Sequence, residues 1–407
     1  MADDAALEEL RRRLRTYTAE RFPVQHATTQ FHLGSVLLGQ GRAMGAAAAL
    51  RVAVRLFAPL PAERAKAENL LGAALRAGGR HAEAAETFAA AAATFAAEHL
   101  VAEEGAALHN LGLVLGEQGR PREAIDAFTR ALDRFDAERL APRAAASARE
   151  LGGAQLAAGE VPAAVATLHR AVALAERTGD QPSLGAAANT LGLAHLANGA
   201  AAAAAAAFQT AAAAHPRGVR PDGYAMAKAN LALAYERAGD APRARLAAAQ
   251  ALGVRPAPPP PVAEQATGVL DRLGAPDGDL VAVLDAEPAD RWPRVLRDEV
   301  ARWVDADPPE RREALGAWID GQLAREGRGA DLAAAWLGVL LERSPEQLER
   351  VAADTLAALA TRDEPARDRF RNDVGRAMVR FHEPQRLRLK DTFDRIAQAR
   401  GEEAPWG

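Results

Sequence analysis

A chain of 407 residues has room for two or three ordinary domains, or for one long repeat array with a further domain. Hydrophobic residues make up 49% of it, but alanine supplies much of that share and aromatics only 5%, which favours many thin helix–helix contacts over one core of large side chains. A formal charge of −4 argues against a general nucleic-acid binder, which carries a basic face, and the lack of any cysteine excludes disulfides, thiolate nucleophiles and cysteine-ligated metals.

Only Lys66, Lys228 and Lys390 among the 50 basic residues are lysines, a usage that points to a GC-rich bacterial genome. From Met1 to Arg15 the chain is charged throughout (Asp3, Asp4, Glu8, Glu9, Arg11 to Arg13), with no apolar stretch of signal-peptide type. Apart from alanine tracts, no apolar run reaches the ~18 residues of a membrane span without charge. A cytoplasmic location with no membrane association is the expectation. Residues 1–22 read as an N-terminal capping helix, the second half of a repeat.

Residues 23–254 carry six copies of one pattern. A Leu-Gly pair recurs at Leu33-Gly34, Leu71-Gly72, Leu111-Gly112, Leu151-Gly152 and Leu191-Gly192, then as Leu231-Ala232, in steps of 38 and then 40 residues. Seven residues past each small residue comes Gly41, Gly79, Gly119, Gly159, Gly199 or Gly239. An alanine, a large residue and a second alanine follow at fixed offsets, as in Ala84, Phe88 and Ala91 or Ala124, Phe128 and Ala131; the sixth copy has Ala248 in the middle. Pro23, Pro61 and Pro221 stand eleven residues before the small residue of their pair, and Pro142 and Pro182 ten before theirs. Proline there suits the first turn of a helix, where its missing N–H is not needed. The later glycine stops that helix by accepting a left-handed conformation. A second helix then shows small, large and small residues on one face, and the small ones let two antiparallel helices approach closely. One such hairpin has too little core, so neighbours must stack.

This pattern resembles the tetratricopeptide repeat family over roughly residues 20–255. The departures are a missing aromatic early in the first helix, where Gln30, Leu108 and Ala148 stand, and a period near 40 instead of 34. The longer period resembles the long-helix subgroup of kinesin light chain and the bacterial peptide-pheromone receptors. The implied fold is all-α: a right-handed α-solenoid of tetratricopeptide helix hairpins followed by a smaller helical C-terminal domain.

A proline-rich linker is expected at 255–262, from Pro256 and the run Pro258 to Pro261. Residues 263–407 are expected to form a helical domain of no recognised family, without an internal repeat. All five tryptophans lie there, and residues 261–407 hold 29 acidic against 22 basic side chains, a net of −7. Periodic apolar positions predict helices near 291–304, 310–324, 330–343, 345–360, 366–381 and 385–399, with Ser344-Pro345 and Gln347 as a capping box. The acidic stretch from Glu264 to Asp290, with Asp277 and Asp279, reads as a solvated linker or docking strip because it lacks calcium-loop spacing.

If the resemblance holds, the first helices line a concave groove. The residues flanking each Leu-Gly pair would face it: Phe31, His32, Ser35, Asn69, Arg76, His109, Asn110, Leu113, Arg149, Glu150, Asn189, Leu193, Asn230, Leu233 and Arg237. In long-repeat relatives an asparagine ladder grips an extended peptide backbone, and Asn69, Asn110, Asn189 and Asn230 resemble one; a carboxamide donates and accepts, as a peptide amide does. The competing reading is that these asparagines bond neighbouring helices inside the array. The carboxylate-clamp pattern of chaperone adaptors is absent, with Ser35, Ala73 and Leu113 where it needs Asn. Gly39, Gly41 and Gly45 precede no Lys-Ser/Thr and follow no strand, so they are not a phosphate loop. His81, Glu83 and Glu86 read as the solvated start of a second helix, and His382-Glu383 as a helix end, not as metal sites.

The expected function is a non-enzymatic scaffold that binds a peptide segment of a partner protein in the groove, with no cofactor, no metal and no nucleic acid. The alternative is a peptide- or ligand-sensing regulator acting through the C-terminal helices. An enzyme with its site in the C-terminal third comes last, since no nucleophile–base pair, metal spacing or cofactor fingerprint is present.

Overall fold

The computed structural model describes residues 2–274, 279–402 and 406. Among them are 21 α-helices, one short 3-10 turn and no strand. The chain divides into two compact units, residues 1–200 and 201–407.

The first unit holds α1 (Ala2–Thr16), α2 (Pro23–Gly39), α3 (Ala43–Leu56), α4 (Pro61–Ala77), α5 (His81–Ala97), α6 (Val101–Glu117), α7 (Pro121–Ala137), α8 (Ala141–Ala157), α9 (Val161–Thr178) and α10 (Gln181–Ala197). Helix α1 packs on α2, and each later helix packs on its predecessor; the first helices of successive hairpins also touch, as α2·α4, α4·α6, α6·α8 and α8·α10. The turns inside hairpins are closed by backbone hydrogen bonds. Gly41, at φ +72°, follows α2; its N–H donates to Leu38 O at 2.9 Å and the Arg42 N–H to Leu37 O at 2.9 Å, the bond pair of a Schellman cap. The carbonyl of Arg42 accepts from Ala46 N at 3.0 Å, so one residue ends α2 and opens α3. The same pair of bonds recurs at each of the six repeat glycines, and in the sixth copy the Asp240 side chain adds a cap by accepting from the Arg243 N–H at 3.1 Å. Between hairpins, His99 (φ 59°) and Arg139 (φ 56°) take that left-handed position.

The Leu-Gly pair owes its glycine to close approach. A Cβ on Gly72 would meet the Phe88 ring at 2.8 Å, one on Gly112 the Phe128 ring at 2.7 Å, and one on Gly152 Leu168 Cγ at 2.4 Å. Each large residue of a second helix thus seats against the bare backbone of its own first helix. The two flanking alanines are fully buried in every copy, and Phe88, Phe95, Phe128 and Phe135 fill the spaces between layers.

The second unit holds α11 (Ala201–Ala214), α12 (Pro221–Arg237), α13 (Ala241–Leu252), α14 (Pro260–Leu273), α15 (Asp279–Ala286), α16 (Trp292–Asp305), α17 (Pro308–Leu323), α18 (Gly329–Leu341), α19 (Pro345–Leu359), α20 (Glu364–Met378) and α21 (Glu383–Ala399). The six helices expected beyond residue 290 are all present. Helices α14 and α15 correct the expectation of a solvated strip over 264–290. Helix α14 packs on α12 and α13, and its first turn is made by Pro260 and Pro261. Asp279 is buried, with both carboxylate oxygens 2.7 Å from the Arg245 guanidinium. Asp277 lies outside the described residues.

From α15 onward the main contacts run between helices two apart: α15·α17·α19·α21 form one row and α16·α18·α20 another. Their starts recur at 292, 329 and 364, and at 308, 345 and 383, a two-helix period that sequence reading missed. Ion pairs span the same interval, Arg311 with Asp354 at 2.6 Å and Arg395 with Glu349 at 2.7 Å. Trp303, Trp318 and Trp336 stack in turn at 6.4 and 6.3 Å between centroids, and Phe393 joins Trp336 to Trp406 at 6.3 and 5.1 Å. These buried rings give this part of the chain a core of larger side chains than the alanine-rich hairpins have.

Candidate functional site

In the first unit the residues flanking the Leu-Gly pairs range from exposed to buried. His32 and Ser35 are exposed, Phe31 is half-buried with its ring edge against His32, and Leu193 is 37% exposed. Asn69 and Asn110 come together: Asn110 Nδ2 donates to Asn69 Oδ1 at 3.2 Å across α4 and α6. Arg76 donates through Nε and Nη2 to Glu117 Oε1 at 2.9 and 2.6 Å, and His81 Nδ1 lies 3.2 Å from Glu117 Oε2. The Arg76 hydrogen bonds hold the Glu117 carboxyl below the usual range against the opposing effect of burial.

His109, on α6, is the most perturbed group on this face. Nδ1 is 2.8 Å from Ser147 Oγ on α8, and the ring stands edge-on to Phe128 with centroids 5.6 Å apart. Burial, reinforced by the positive charges of Arg149 and Arg76, pulls the imidazole down to about 4. His109 is therefore neutral at physiological pH and serves as a fixed hydrogen-bonding group. Arg149 is paired with its neighbour Glu150, and Leu113 is half-buried against the core. Between α6 and α8, Ala106, His109, Asn110, Phe135, Arg143 and Ala146 line a cleft of about 240 Å³. The Arg143 guanidinium carbon lies 5.9 Å from the centre of the Phe135 ring. Apolar floor, carboxamide and guanidinium thus meet in one place, an arrangement suited to an amide backbone or a side-chain carboxylate.

Asn189 is buried, 8% exposed. In the second unit Asn230 is buried and accepts from Gln265 Nε2 at 2.9 Å, while Leu233 is half-buried and Arg237 exposed. The carboxamides at 189 and 230 thus lie inside the packing of their own units. Sequence reading missed Arg143, Ser147 and Glu117. Ser147 had a signal: it occupies the repeat position that is Ala67, Ala107, Ala187 and Ala227 in other copies.

A second cavity of about 150 Å³ lies wholly in the second unit. Its polar groups are matched: Lys228 with Asp298 at 2.6 Å, Arg243 with Glu287 at 2.8 Å, Arg294 with Gln209 at 2.9 Å and Gln209 with the Tyr235 hydroxyl at 2.6 Å. It is a seam joining the last hairpin to α15 and α16. No group of three or more His, Asp or Glu side chains that could hold a metal occurs among the described residues, and no helix among them is long and apolar enough to cross a membrane.

Stacked helix hairpins with glycine-ended first helices and small–large–small second helices define a helical repeat protein of the solenoid class. Family models described as tetratricopeptide repeat match residues 63–137 in one case, and 4–99, 109–182 and 156–219 in another. These matches span half of the chain, which belongs to the tetratricopeptide repeat family. Repeats of this family are generally non-catalytic interaction modules. No curated protein matches the sequence significantly. Solved structures with a similar fold include BtubC (BKLC) from P. vanneervenii, 21% identical, covering 52% of this chain and 88% of that one at a TM-score of 0.45. They also include the apo form of RapI, 12% identical, covering 61% and 85% at 0.43, and pilF of Pseudomonas aeruginosa, 18% identical, covering 56% and 91% at 0.43.

Proposed function

We propose that this protein is a non-enzymatic scaffold that holds an extended peptide segment of a partner protein along the first helices of residues 1–200. The observation that carries the proposal is the cleft between α6 and α8, which His109, Asn110, Arg143 and Phe135 line together. A neutral imidazole and a carboxamide offer hydrogen bonds to backbone amides, and the guanidinium offers one charged anchor for an acidic side chain. Arg76 and Arg149, whose charges act on His109, are already matched by Glu117 and Glu150, so selectivity rests on Arg143 and on the Asn69–Asn110 pair.

A peptide-display selection on the full-length chain tests this. The selected peptides carry an acidic residue, and both Asn110→Ala and Arg143→Ala weaken them at least about tenfold, as loss of one charged or bidentate hydrogen bond requires, with an unchanged melting temperature. Peptides that bind both variants as well as the parent place recognition elsewhere and refute the proposal.

A further inference from the structure

A second place in the molecule has an unmet chemical demand, independent of the first-helix face. Gln322, in the last turn of α17, is fully buried, and neither its Nε2 nor its Oε1 has a hydrogen-bond partner. Leaving such a group unpaired costs about 1–3 kcal/mol, so an unpaired buried carboxamide calls for an explanation. The carboxamide lines a cleft of about 270 Å³ between the α17–α18 connection and α20. Three arginines surround it, two already committed. Arg325 donates to Asp285 at 2.8 Å, and Arg376 to Asp373 at 2.5 Å. Arg369 is exposed, with no side-chain hydrogen bond or ion pair to the described residues, and Glu326, which also lines the cleft, is likewise exposed and unengaged.

The cleft therefore presents a buried amide that both donates and accepts, one guanidinium and one carboxylate, with the exposed Asn372 carboxamide beside them. The size suits a small molecule, slightly below the usual range for drug-sized ligands. We propose that this cleft binds a small acylamino carboxylate, the chemistry shared by an N-acylated amino acid and a dipeptide. The ligand's amide pairs head-to-tail with the Gln322 carboxamide, C=O to Nε2 and N–H to Oε1, and its carboxylate lies on Arg369. In a dipeptide the free ammonium lies on Glu326. A ligand lacking the amide leaves Gln322 as it stands, unpaired, and gains nothing from that contact.

Isothermal titration of the full-length chain decides the matter, with N-acetylalanine and dialanine as probes. N-acetylalanine methyl ester, lacking the carboxylate, and isovalerate, lacking the amide, are the controls. The expected result is binding of at least one probe, with both controls about tenfold weaker or more, the equivalent of one lost hydrogen bond of this kind. Arg369→Ala and Gln322→Met should each lower probe affinity to the same degree. Because Gln322→Met removes an unpartnered buried amide and keeps the volume, the variant should melt no lower than the parent. Tighter binding of dialanine, lost in Glu326→Gln, assigns the site to free dipeptides, and tighter binding of N-acetylalanine to acylated amino acids. No heat with either probe at millimolar concentration, affinity unchanged in both Gln322→Met and Arg369→Ala, or a Gln322→Met protein that melts well below the parent overturns the proposal.

Discussion

Gly152 and Gly153 are neighbours in α8, yet alanine should have different consequences at the two. At Gly153 a Cβ meets nothing within 4 Å, so Gly153→Ala gains the helix-propensity difference of about 0.8–1 kcal/mol. At Gly152 a Cβ would lie 2.4 Å from Leu168 Cγ and 2.7 Å from Leu168 Cδ2. Leu168 is fully buried and the contact falls on its branch point, so the helices must separate or the leucine must leave its rotamer. Such overpacking costs about 1–3 kcal/mol. After the same propensity gain, Gly152→Ala ends between about neutral and 2 kcal/mol destabilised, and the two variants differ by about 1–3 kcal/mol. Urea unfolding followed by circular dichroism reads this as a raised midpoint for Gly153→Ala and an unchanged or lowered one for Gly152→Ala. In a Leu168→Ala background the clash partner is gone, so Gly152→Ala should become stabilising; that sign change is the coupling of a double-mutant cycle. Equal shifts for the two alanines, or a Gly152→Ala effect indifferent to Leu168, would refute the close-approach account.

Titration of His109 should be visible in stability. With the folded value at about 4 against an ordinary one near 6.5, the unfolded chain binds the extra proton first as pH falls. Stability is thus whole above about pH 6.5 and declines toward pH 4, by up to on the order of 3 kcal/mol; His109→Gln should flatten unfolding midpoints over that window relative to the parent. Arg245→Ala strands the buried Asp279 carboxylate and should cost about 3–5 kcal/mol, whereas Arg120→Ala, which breaks the exposed pair with Glu123, should leave the midpoint unmoved. His99→Gly replaces a non-glycine residue at φ 59° and should raise the melting temperature, by relief of up to about 1–2 kcal/mol.

The repeat was legible because its physics is local and periodic. A glycine under Phe88 or Leu168, a glycine in each left-handed turn and a proline in a first turn leave marks that recur every 40 residues. The C-terminal helices were legible one by one from their periodic apolar positions, and the Ser344 capping box is formed, its side chain accepting from the Gln347 N–H. Their two-helix period was not, because it is kept by long-range pairs such as Arg311–Asp354, whose partners no local pattern joins. Asp279 was misread as solvated for the same reason: its partner, Arg245, lies 34 residues earlier. At the candidate site, the offset of the Leu-Gly pair found Asn110 and His109, but nothing in it reveals that Asn230 meets Gln265, or that Arg143 faces across to α6.

The central claim is that a peptide lies along the first helices of residues 1–200. Its most direct test is photocross-linking of a display-selected peptide to the full-length chain, with the cross-linker at Leu113 or Leu193 on first helices, or at the exposed Arg130 on the second helix α7. Labelling from 113 and 193, suppressed by excess unlabelled peptide and absent from 130, is the predicted result. Labelling from 130 alone, or equal labelling from all three, would contradict it.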